Sequence, residues 1–217
     1  MDIDPEMEAV LRRRAKAALR QRARALRNTI PRDRIAQRSN QIAQALEAMP
    51  LLAQARSIAL FVAIETRNEV DLAALGSRLR HRGTRVAYPA IDPVTRIMTF
   101  RCPRDPDAMA ERGLGFREPS PDEPEATALD VIVVPALQID PTGHRIGYGA
   151  GYYDRTLPRF CPPAQSIGVV FDFQLVPEVP RTENDVAVDW VVTDTRVLDA
   201  RAPQVPNAGG RSGPAPQ

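Results

Sequence analysis

One ten-residue segment, RIGYGAGYYD, combines a cation, Arg145, with three glycines at alternate positions and a carboxylate, Asp154. Gly147, Gly149 and Gly151 allow the backbone to approach a polyanion closely, because they carry no side chain and adopt positive φ readily. Arginine pairs well with phosphate, and a carboxylate is a ligand for a hard metal ion. The segment therefore predicts a phosphate-handling loop. The alternative is a glycine-rich turn that only packs its two tyrosines.

The flanks of this glycine loop favour the first interpretation. Residues 130–135 form a continuous apolar run of strand length, which is typical of a strand buried on both faces. A turn follows at 140–143, and residues 152–160 can form a helix. The glycines would then lie just before a helix N-terminus, where free N–H groups favour anions.

Two common phosphate-binding loops do not fit the segment. A P-loop requires Gly-x-x-x-x-Gly-Lys-Ser/Thr, and no lysine occurs here. The dinucleotide fingerprint Gly-x-Gly-x-x-Gly fails as well, because these glycines fall at i, i+2 and i+4.

The composition describes an ordinary globular chain. Its 217 residues are enough for one α/β domain, and a hydrophobic fraction of 43% with a formal charge of +2 argues against disorder. The apolar runs are too short to cross a membrane, and the N-terminus lacks the order of a signal peptide. Two cysteines and two histidines are too few for a disulfide framework or a convincing zinc site. We expect a cytoplasmic protein without a membrane partner.

The basic residues are concentrated near the N-terminus. Residues 12–38 hold eleven basic side chains against the single acid Asp33, and Lys16 is the only lysine in the chain. Helical periodicity predicts helices over 6–28 and 31–49, with Lys16 and Arg20 on one face beside an apolar stripe. Nucleic-acid binding is one interpretation of the charge. Because no recognised nucleic-acid module accompanies it, we favour a solvated helix face and expect no nucleic-acid partner.

The remaining apolar runs predict the fold. Strands are expected at 57–62, 84–89, 98–101, 166–171 and 190–193, with a helix capped at Asn68 that runs to about Arg82. This alternation indicates an α/β fold with a doubly wound, mainly parallel sheet, helices on both faces and an N-terminal helical pair. We expect one domain over 1–200, including the helical part 6–49, and a disordered Pro/Gly-rich tail at 201–217.

The glycine loop, following a strand that ends at Pro135, closely resembles the signature of the 5-formyltetrahydrofolate cyclo-ligase family, also called methenyltetrahydrofolate synthetase. Further matches occur in the family's order at 16–20, 68–70, 88–89, 118–119, 174 and 184–185. The resemblance covers roughly residues 10–195. The glycine motif is specific, and the other matches count because they surround it in sequence.

This resemblance implies an enzyme of one-carbon folate metabolism. The reaction closes 5-formyltetrahydrofolate to 5,10-methenyltetrahydrofolate and uses ATP and Mg²⁺, with release of ADP and phosphate. The formyl oxygen is a poor leaving group, so ATP first phosphorylates it and phosphate departs as the ring closes. We expect the enzyme to be a monomer that binds 5-formyltetrahydrofolate and ATP.

The resemblance also implies roles for individual residues. The catalytic residues would be Lys16, Arg145 and Tyr152. ATP would contact Lys16, Arg20, Arg145, Gly147, Tyr148, Gly149, Ala150, Gly151, Tyr152 and Tyr153. The folate would contact Ile64, Glu69, Tyr148, Ala150, Gly151 and Tyr152. The metal ligands would be Asp154 and Asp185, a donor set that suits Mg²⁺ together with phosphate oxygens.

Alternatives remain for several of these residues. Lys16 and Arg20 fit solvated helix charges, Glu69 fits an acidic first-turn residue, and Asp185 fits an ordinary loop aspartate. Two positions depart from the family pattern: Ala150 replaces glycine or lysine, and Leu114 lies where an aromatic residue is common.

Rival functions are a sugar-phosphate isomerase or acyl-CoA transferase on a similar fold, and an RNA-binding protein.

Overall fold

The computed structural model describes residues 4–202. The helices are α1 (Pro5–Asn28), α2 (Arg32–Ala48), α3 (Pro50–Gln54), α4 (Ala73–His81) and α5 (Tyr152–Thr156). The strands are β1 (Ser57–Ala59), β2 (Arg85–Ile91), β3 (Met98–Arg101), β4 (Ala110–Glu111), β5 (Arg117–Glu118), β6 (Val131–Pro135), β7 (Gln138–Ile139), β8 (Arg145–Ile146), β9 (Gln165–Val169), β10 (Trp190–Val192) and β11 (Val197–Asp199).

A seven-stranded sheet in the order β11-β10-β9-β6-β1-β2-β3 forms the centre of the fold. Its five inner strands are parallel, and β11 and β3 join the two edges antiparallel. Ile58 of β1 pairs with Val86 on one side and Val131 on the other. The chain adds strands in one direction from β1 to β3 and in the other from β6 onward. The crevice beyond the carboxyl ends of β1 and β6 is therefore the switch point at which such sheets bind ligands.

Both faces of the sheet are covered, which explains the continuous apolar strands. In β6, residues 131–134 are all fully buried. Side chains of α2 and α4 pack on one face, and Leu157 and Phe160, which follow α5, pack on the other. Buried apolar side chains of alternating strand positions fill the two core layers. The predicted α/β fold is thus confirmed.

Most of the apolar stripe predicted for α1 does not face the protein. Lys16, Ala23 and Arg27 form its buried face, and Leu19 packs half-buried beside them. Four other large apolar residues of α1 are exposed: Met7, Val10, Leu11 and Leu26. The reason is the partner of the helix, because α1 contacts β8 and the turn at 65–67 rather than the apolar faces of the main sheet.

The helix predicted to begin at Asn68 begins at Ala73 instead. Asn68 has φ 49° and ends the 3-10 turn Glu65–Arg67. Its side-chain amide donates to the carbonyls of Arg27 at 3.3 Å and Ile30 at 3.1 Å, so it ties this turn to the end of α1 and the residues after it. Gly83, with φ 85°, follows the end of α4 as predicted.

The domain division stays a prediction, because residues 203–217 of the expected tail lie outside the described residues. Arg201, at the start of that tail, pairs with Asp199 at 2.9 Å and lies over the ring of Trp190. Within residues 4–202, no helix combines the length and apolar character needed to cross a membrane.

Candidate active site

A cavity of about 340 Å³ opens at the carboxyl ends of β1, β2 and β6, within the size range of small-molecule sites. Its walls come from α1, the β2–β3 turn, the β4–β5 turn, the glycine loop and the loop before β10. All fourteen residues assigned from the family resemblance line it: Lys16, Arg20, Ile64, Glu69, Arg145, Gly147, Tyr148, Gly149, Ala150, Gly151, Tyr152, Tyr153, Asp154 and Asp185.

The glycine loop connects β8 to α5 along one wall of this cavity. Gly149 and Gly151 adopt φ of 102° and 66°, a region that strongly favours glycine. A Cβ atom at Gly149 would also lie 3.2 Å from the guanidinium carbon of Arg20. Gly151 is the residue before α5, so the loop precedes a helix as the sequence predicted. Only five residues of that helix are α-helical, and a 3-10 turn continues it at Leu157–Arg159.

Helix α1 places Lys16 and Arg20 against the glycine loop. The Lys16 ammonium forms an ion pair with Asp185 across 169 positions of sequence. Arg20 Nε donates to the carbonyl of Gly147 at 3.0 Å. Lys16 is only 8% exposed and Arg20 is half-buried, so neither is a solvated helix charge. Both cations instead face the cavity beside the loop.

Arg145 holds the second ion pair of the site. Its Nη2 donates to Asp154 Oδ1 at 2.7 Å, and its Nη1 donates to the carbonyl of Val186. Asp154 Oδ1 also accepts the Val186 N–H at 3.3 Å, which ties the glycine loop to the loop that carries Asp185. Burial lowers the pKa of Arg145, and the charge of Asp154 opposes that shift.

Asp185 is held in its ionised form. Burial alone would raise its pKa, but hydrogen bonds from Lys16 and from the Thr182 N–H at 2.6 Å outweigh burial. The net pKa lies below the ordinary aspartate value. Each of the two predicted metal ligands therefore lies beside a buried cation.

Asp154 and Asp185 are the residues that would hold the implied metal. The described residues contain no cluster of three or more His, Cys, Asp or Glu side chains able to hold an ion alone. Magnesium commonly binds one or two carboxylates and completes its octahedron with phosphate oxygens and water. Asp154 and Asp185 fit that pattern, in which the metal arrives with a nucleotide.

Glu69 is buried at the folate side of the predicted site. It is 7% exposed, and its carboxylate accepts the Ile64 N–H at 2.9 Å and the Tyr148 hydroxyl. Arg27 donates to the Tyr148 oxygen at 2.6 Å and lies 3.7 Å from Glu69. Burial and then the Glu69 charge raise the pKa of Tyr148. Since α4 begins four residues later, Glu69 is not a first-turn helix residue.

Tyr152 and Tyr153 both line the cavity and both bury their hydroxyl oxygens. Neither hydroxyl has a hydrogen-bond partner among the described residues. The Tyr152 ring lies near Arg96 and Arg155, at 5.9 and 5.4 Å from the guanidinium carbons, whereas Tyr153 packs against Phe100 of the core. Burial raises the pKa of Tyr153 well above its usual range. Buried hydroxyls normally have partners, so these two are candidates for ligand contacts.

Several lining residues were not predicted as site residues. Two are the arginines Arg67, after β1, and Arg96, in the β2–β3 turn. The rest are apolar: Phe61, Val62, Pro89, Ile91, Met98, Leu114, Phe116, Pro135 and Ile146. The predicted parallel sheet gave one usable signal, because β2 also ends at this edge of the sheet and the segment after it must approach the crevice.

A family model described as the 5-formyltetrahydrofolate cyclo-ligase family matches residues 12–194. The chain belongs to this family. A relative named 5-formyltetrahydrofolate cyclo-ligase from Escherichia coli K12 is 29% identical over 186 residues, which cover 83% of this chain and 99% of the relative. One of the same name from Mycolicibacterium smegmatis is 43% identical over 98 residues, 44% of this chain and 50% of the relative.

The fold of this cyclo-ligase family member has solved counterparts. The structure of Aquifex aeolicus 5,10-methenyltetrahydrofolate synthetase superposes with a TM-score of 0.76 at 24% identity, covering 91% of this chain and 99% of that one. A synthetase of the same name from Mycoplasma pneumoniae gives a TM-score of 0.66 at 22% identity. These matches show the same α/β fold, and the family model carries the enzyme assignment.

Proposed function

We propose that this chain closes 5-formyltetrahydrofolate to 5,10-methenyltetrahydrofolate at the expense of MgATP, with the residue roles implied by the family motif. One observation carries the proposal: Lys16, Arg20 and Arg145 come from two distant segments and meet the glycine loop in a single cavity. Buried cations without such a purpose are rare, because removing a charge from water is costly.

The charge of the cavity suits a polyanion. Five cationic side chains and three carboxylates line it. Lys16 and Arg145 are partly neutralised by their aspartates, and Arg20 lies beside the glycine loop with a carbonyl as its partner. Phosphate oxygens of ATP in the loop would have backbone N–H groups and these three cations as donors. Such positioning and charge neutralisation supply most of the catalysis in phosphoryl transfer.

The reaction then has two steps. The formyl oxygen attacks the γ-phosphorus and ADP leaves, which turns the oxygen into a phosphate leaving group. N10 attacks the formyl carbon, the carbon–oxygen bond breaks, phosphate departs and the N10 proton is lost. Lys16 and Arg145 stabilise charge on the transferred phosphoryl group, and the Tyr152 hydroxyl donates to one of its oxygens. When bound, Mg²⁺ held by Asp154 and Asp185 neutralises and orients the phosphates.

Glu69 and its neighbours form the folate side. The carboxylate is fixed by the Ile64 N–H and the Tyr148 hydroxyl, so it is presented in one orientation to an N–H group of the pterin. Tyr148, Ala150, Gly151 and Tyr152 border both ligands. The residues of one chain line both parts of the cavity, and we expect the enzyme to act as a monomer.

The test is an absorbance time course of the methenyl product with purified protein, 5-formyltetrahydrofolate and MgATP. Omission of ATP and omission of magnesium should each abolish the product. Lys16→Ala should cripple turnover, while Arg22→Ala, an exposed cation on the same helix, serves as the matched control. No product from folded protein would refute the proposed function. Salt-sensitive RNA binding that survives Asp154→Ala would favour the nucleic-acid alternative instead.

A further inference from the structure

The five cations of the cavity differ in their partners. Lys16 and Arg145 form ion pairs with aspartates, and Arg20 donates to a backbone carbonyl. The guanidinium groups of Arg67 and Arg96 form no hydrogen bond or ion pair with any residue in the described part of the chain; each lies near one tyrosine ring. These two arginines are therefore available to an anion that the other three do not bind.

Arg67 and Arg96 have different surroundings. The guanidinium carbon of Arg67 is 5.0 Å from the centre of the Tyr148 ring, and Arg24 and Arg27 lie at 5.1 and 6.0 Å from the same centre. Arg67 is thus one of three cations packed around a ring beside the buried Glu69. Arg67 is also exposed, but its surroundings are polar, and it lies at the end of the cavity that holds Tyr148 and Glu69.

Arg96 instead lies at the end of the cavity where the lining is apolar. It is exposed, and its turn connects β2 to β3, which contribute Ile91 and Met98 to the cavity. The other apolar side chains near this end come from the β4–β5 turn, Leu114 and Phe116, and β5 packs against β2. The cavity here offers apolar contact area with one unpaired cation at its edge.

The turn gives Arg96 a defined position. Its N–H donates to the Asp92 carbonyl at 2.9 Å, and the Asp92 carboxylate accepts the N–H groups of Val94 and Thr95 at 2.8 and 2.7 Å. The Asp92 N–H in turn donates to the carbonyl of Ile97 at 3.0 Å, which closes the turn. The antiparallel pairing of β2 and β3 supports both ends. Little backbone reorganisation is needed for the guanidinium to meet a ligand.

A folate has a matching shape. Its pterin carries the reacting formyl group, a p-aminobenzoyl ring follows, and the glutamyl carboxylates lie at the end away from the chemistry. With the pterin at Glu69 and the formyl oxygen facing the glycine loop, the aromatic ring would extend along the apolar wall. The carboxylates would then reach the exposed edge where Arg96 lies.

We propose that Arg96 is a specificity-determining residue that binds the glutamyl carboxylates of the folate substrate. The inference rests on the proposed function, since it assumes that a folate occupies this cavity. Arginine pairs with carboxylates through two parallel hydrogen bonds, and its planar group also packs beside Tyr152.

The experiment compares the wild type with Arg96→Ala, Arg96→Lys and Arg22→Ala. Each is assayed with 5-formyltetrahydrofolate bearing one or three glutamates, at saturating MgATP, and KM for ATP is measured separately. Because Arg96 is exposed, its ion pair with the ligand is modest, and Arg96→Ala should raise the folate KM about 3- to 10-fold. Its kcat and its KM for ATP should change less than twofold. Arg96→Lys should recover part of the loss, and any advantage of the triglutamate should shrink in Arg96→Ala.

Three results would overturn the inference. The first is an unchanged folate KM in folded Arg96→Ala, and the second is a rise in KM for ATP instead. The third is a rise in folate KM that depends on glutamate number in Arg67→Ala but not in Arg96→Ala, which would place the glutamyl tail over Tyr148.

Folate binding without ATP, measured by calorimetry, separates the two proposals. If the wild type binds folate without forming product, the proposed reaction fails, and weaker binding by Arg96→Ala still supports Arg96. If the wild type binds no folate, both proposals fail.

Discussion

Replacing Lys16 with alanine tests both the chemistry and the architecture of the site. The ammonium group is the only lysine amine in the chain and pairs with Asp185 inside the cavity. Alanine removes a proposed phosphate contact and leaves Asp185 with hydrogen bonds from the N–H and side chain of Thr182. Turnover and stability should therefore both fall, for separable reasons.

The structure sets the size of each effect. Loss of one preorganised donor typically costs about 10²–10³ in kcat, which corresponds to about 3–4 kcal/mol of transition-state stabilisation. The side chains of Lys16 and Asp185 are 10% and 21% exposed, so their pair lies between a fully buried and a surface ion pair. Breaking it should lower the free energy of unfolding by about 1–3 kcal/mol at pH 7.

The pH dependence of this stability loss has a definite sign. The pKa of Asp185 is lower in the folded protein than its ordinary value, so its stabilising contribution is present above that value and is lost as pH falls through the folded pKa. The difference in unfolding free energy between wild type and Lys16→Ala should therefore shrink below about pH 4. Denaturant titrations at pH 7 and at the lowest pH that keeps both proteins folded would measure it.

Turnover is assayed by methenyl absorbance at a temperature where both proteins are folded. Lys16→Arg keeps the charge but replaces a compact ammonium with a planar guanidinium, and it should recover stability better than turnover. Arg22→Ala controls for the loss of any cation from α1. Wild-type kcat/KM in folded Lys16→Ala would refute the assignment of this residue to the phosphate site.

Three further changes probe two other residues of the cavity and one buried carboxyl outside its lining. Tyr153→Phe removes a buried hydroxyl without a partner among the described residues, so thermal stability should hold or rise while turnover falls about tenfold; unchanged turnover would mean that the hydroxyl meets no ligand. Gly149→Ala forces a side chain into φ 102° beside Arg20, and calorimetry should show that the free energy of unfolding falls by about 1–3 kcal/mol. The KM for ATP should rise as well, and an unchanged KM would count against the loop as the site that holds the nucleotide. Burial raises the pKa of Glu118, so its carboxyl favours folding most below the unfolded pKa and progressively less as pH rises through the folded pKa. The free energy of unfolding of Glu118→Gln relative to wild type should therefore increase as pH rises across that interval. A pH-independent difference would contradict this.

Local patterns in the sequence were sufficient for most of the sheet. Buried parallel strands need continuous apolar residues, so 131–134 and the runs around 58, 86, 167 and 191 could be placed from composition alone. The first strand was predicted to reach Val62 but ends at Ala59, because pairing stops where the chain turns toward the cavity. The glycine loop was also predictable, since its spacing and flanks are local features.

Features that depend on distant partners were not predictable from these patterns. Helical periodicity placed Lys16 beside an apolar stripe but could not show that the helix buries Lys16 and Arg27 against segments more than 40 positions away. The residue type of Asn68 predicts a helix cap, but its amide instead donates to the Arg27 carbonyl at the end of α1. Arg96 carries no local signal at all, because its role depends on which walls the fold brings together.

Helix α1 buries cationic side chains, and these side chains hold several parts of the site together. Lys16 reaches Asp185, Arg20 reaches the Gly147 carbonyl one turn later, and Arg27 reaches the Tyr148–Glu69 pair two turns after that. One helix therefore joins one proposed metal carboxylate, the glycine loop and the folate carboxylate. Its buried contacts are largely polar and gain less free energy than apolar packing. Ligands that engage these cations would add to the docking energy of α1, so the arrangement couples substrate binding to the order of the helix that completes the site.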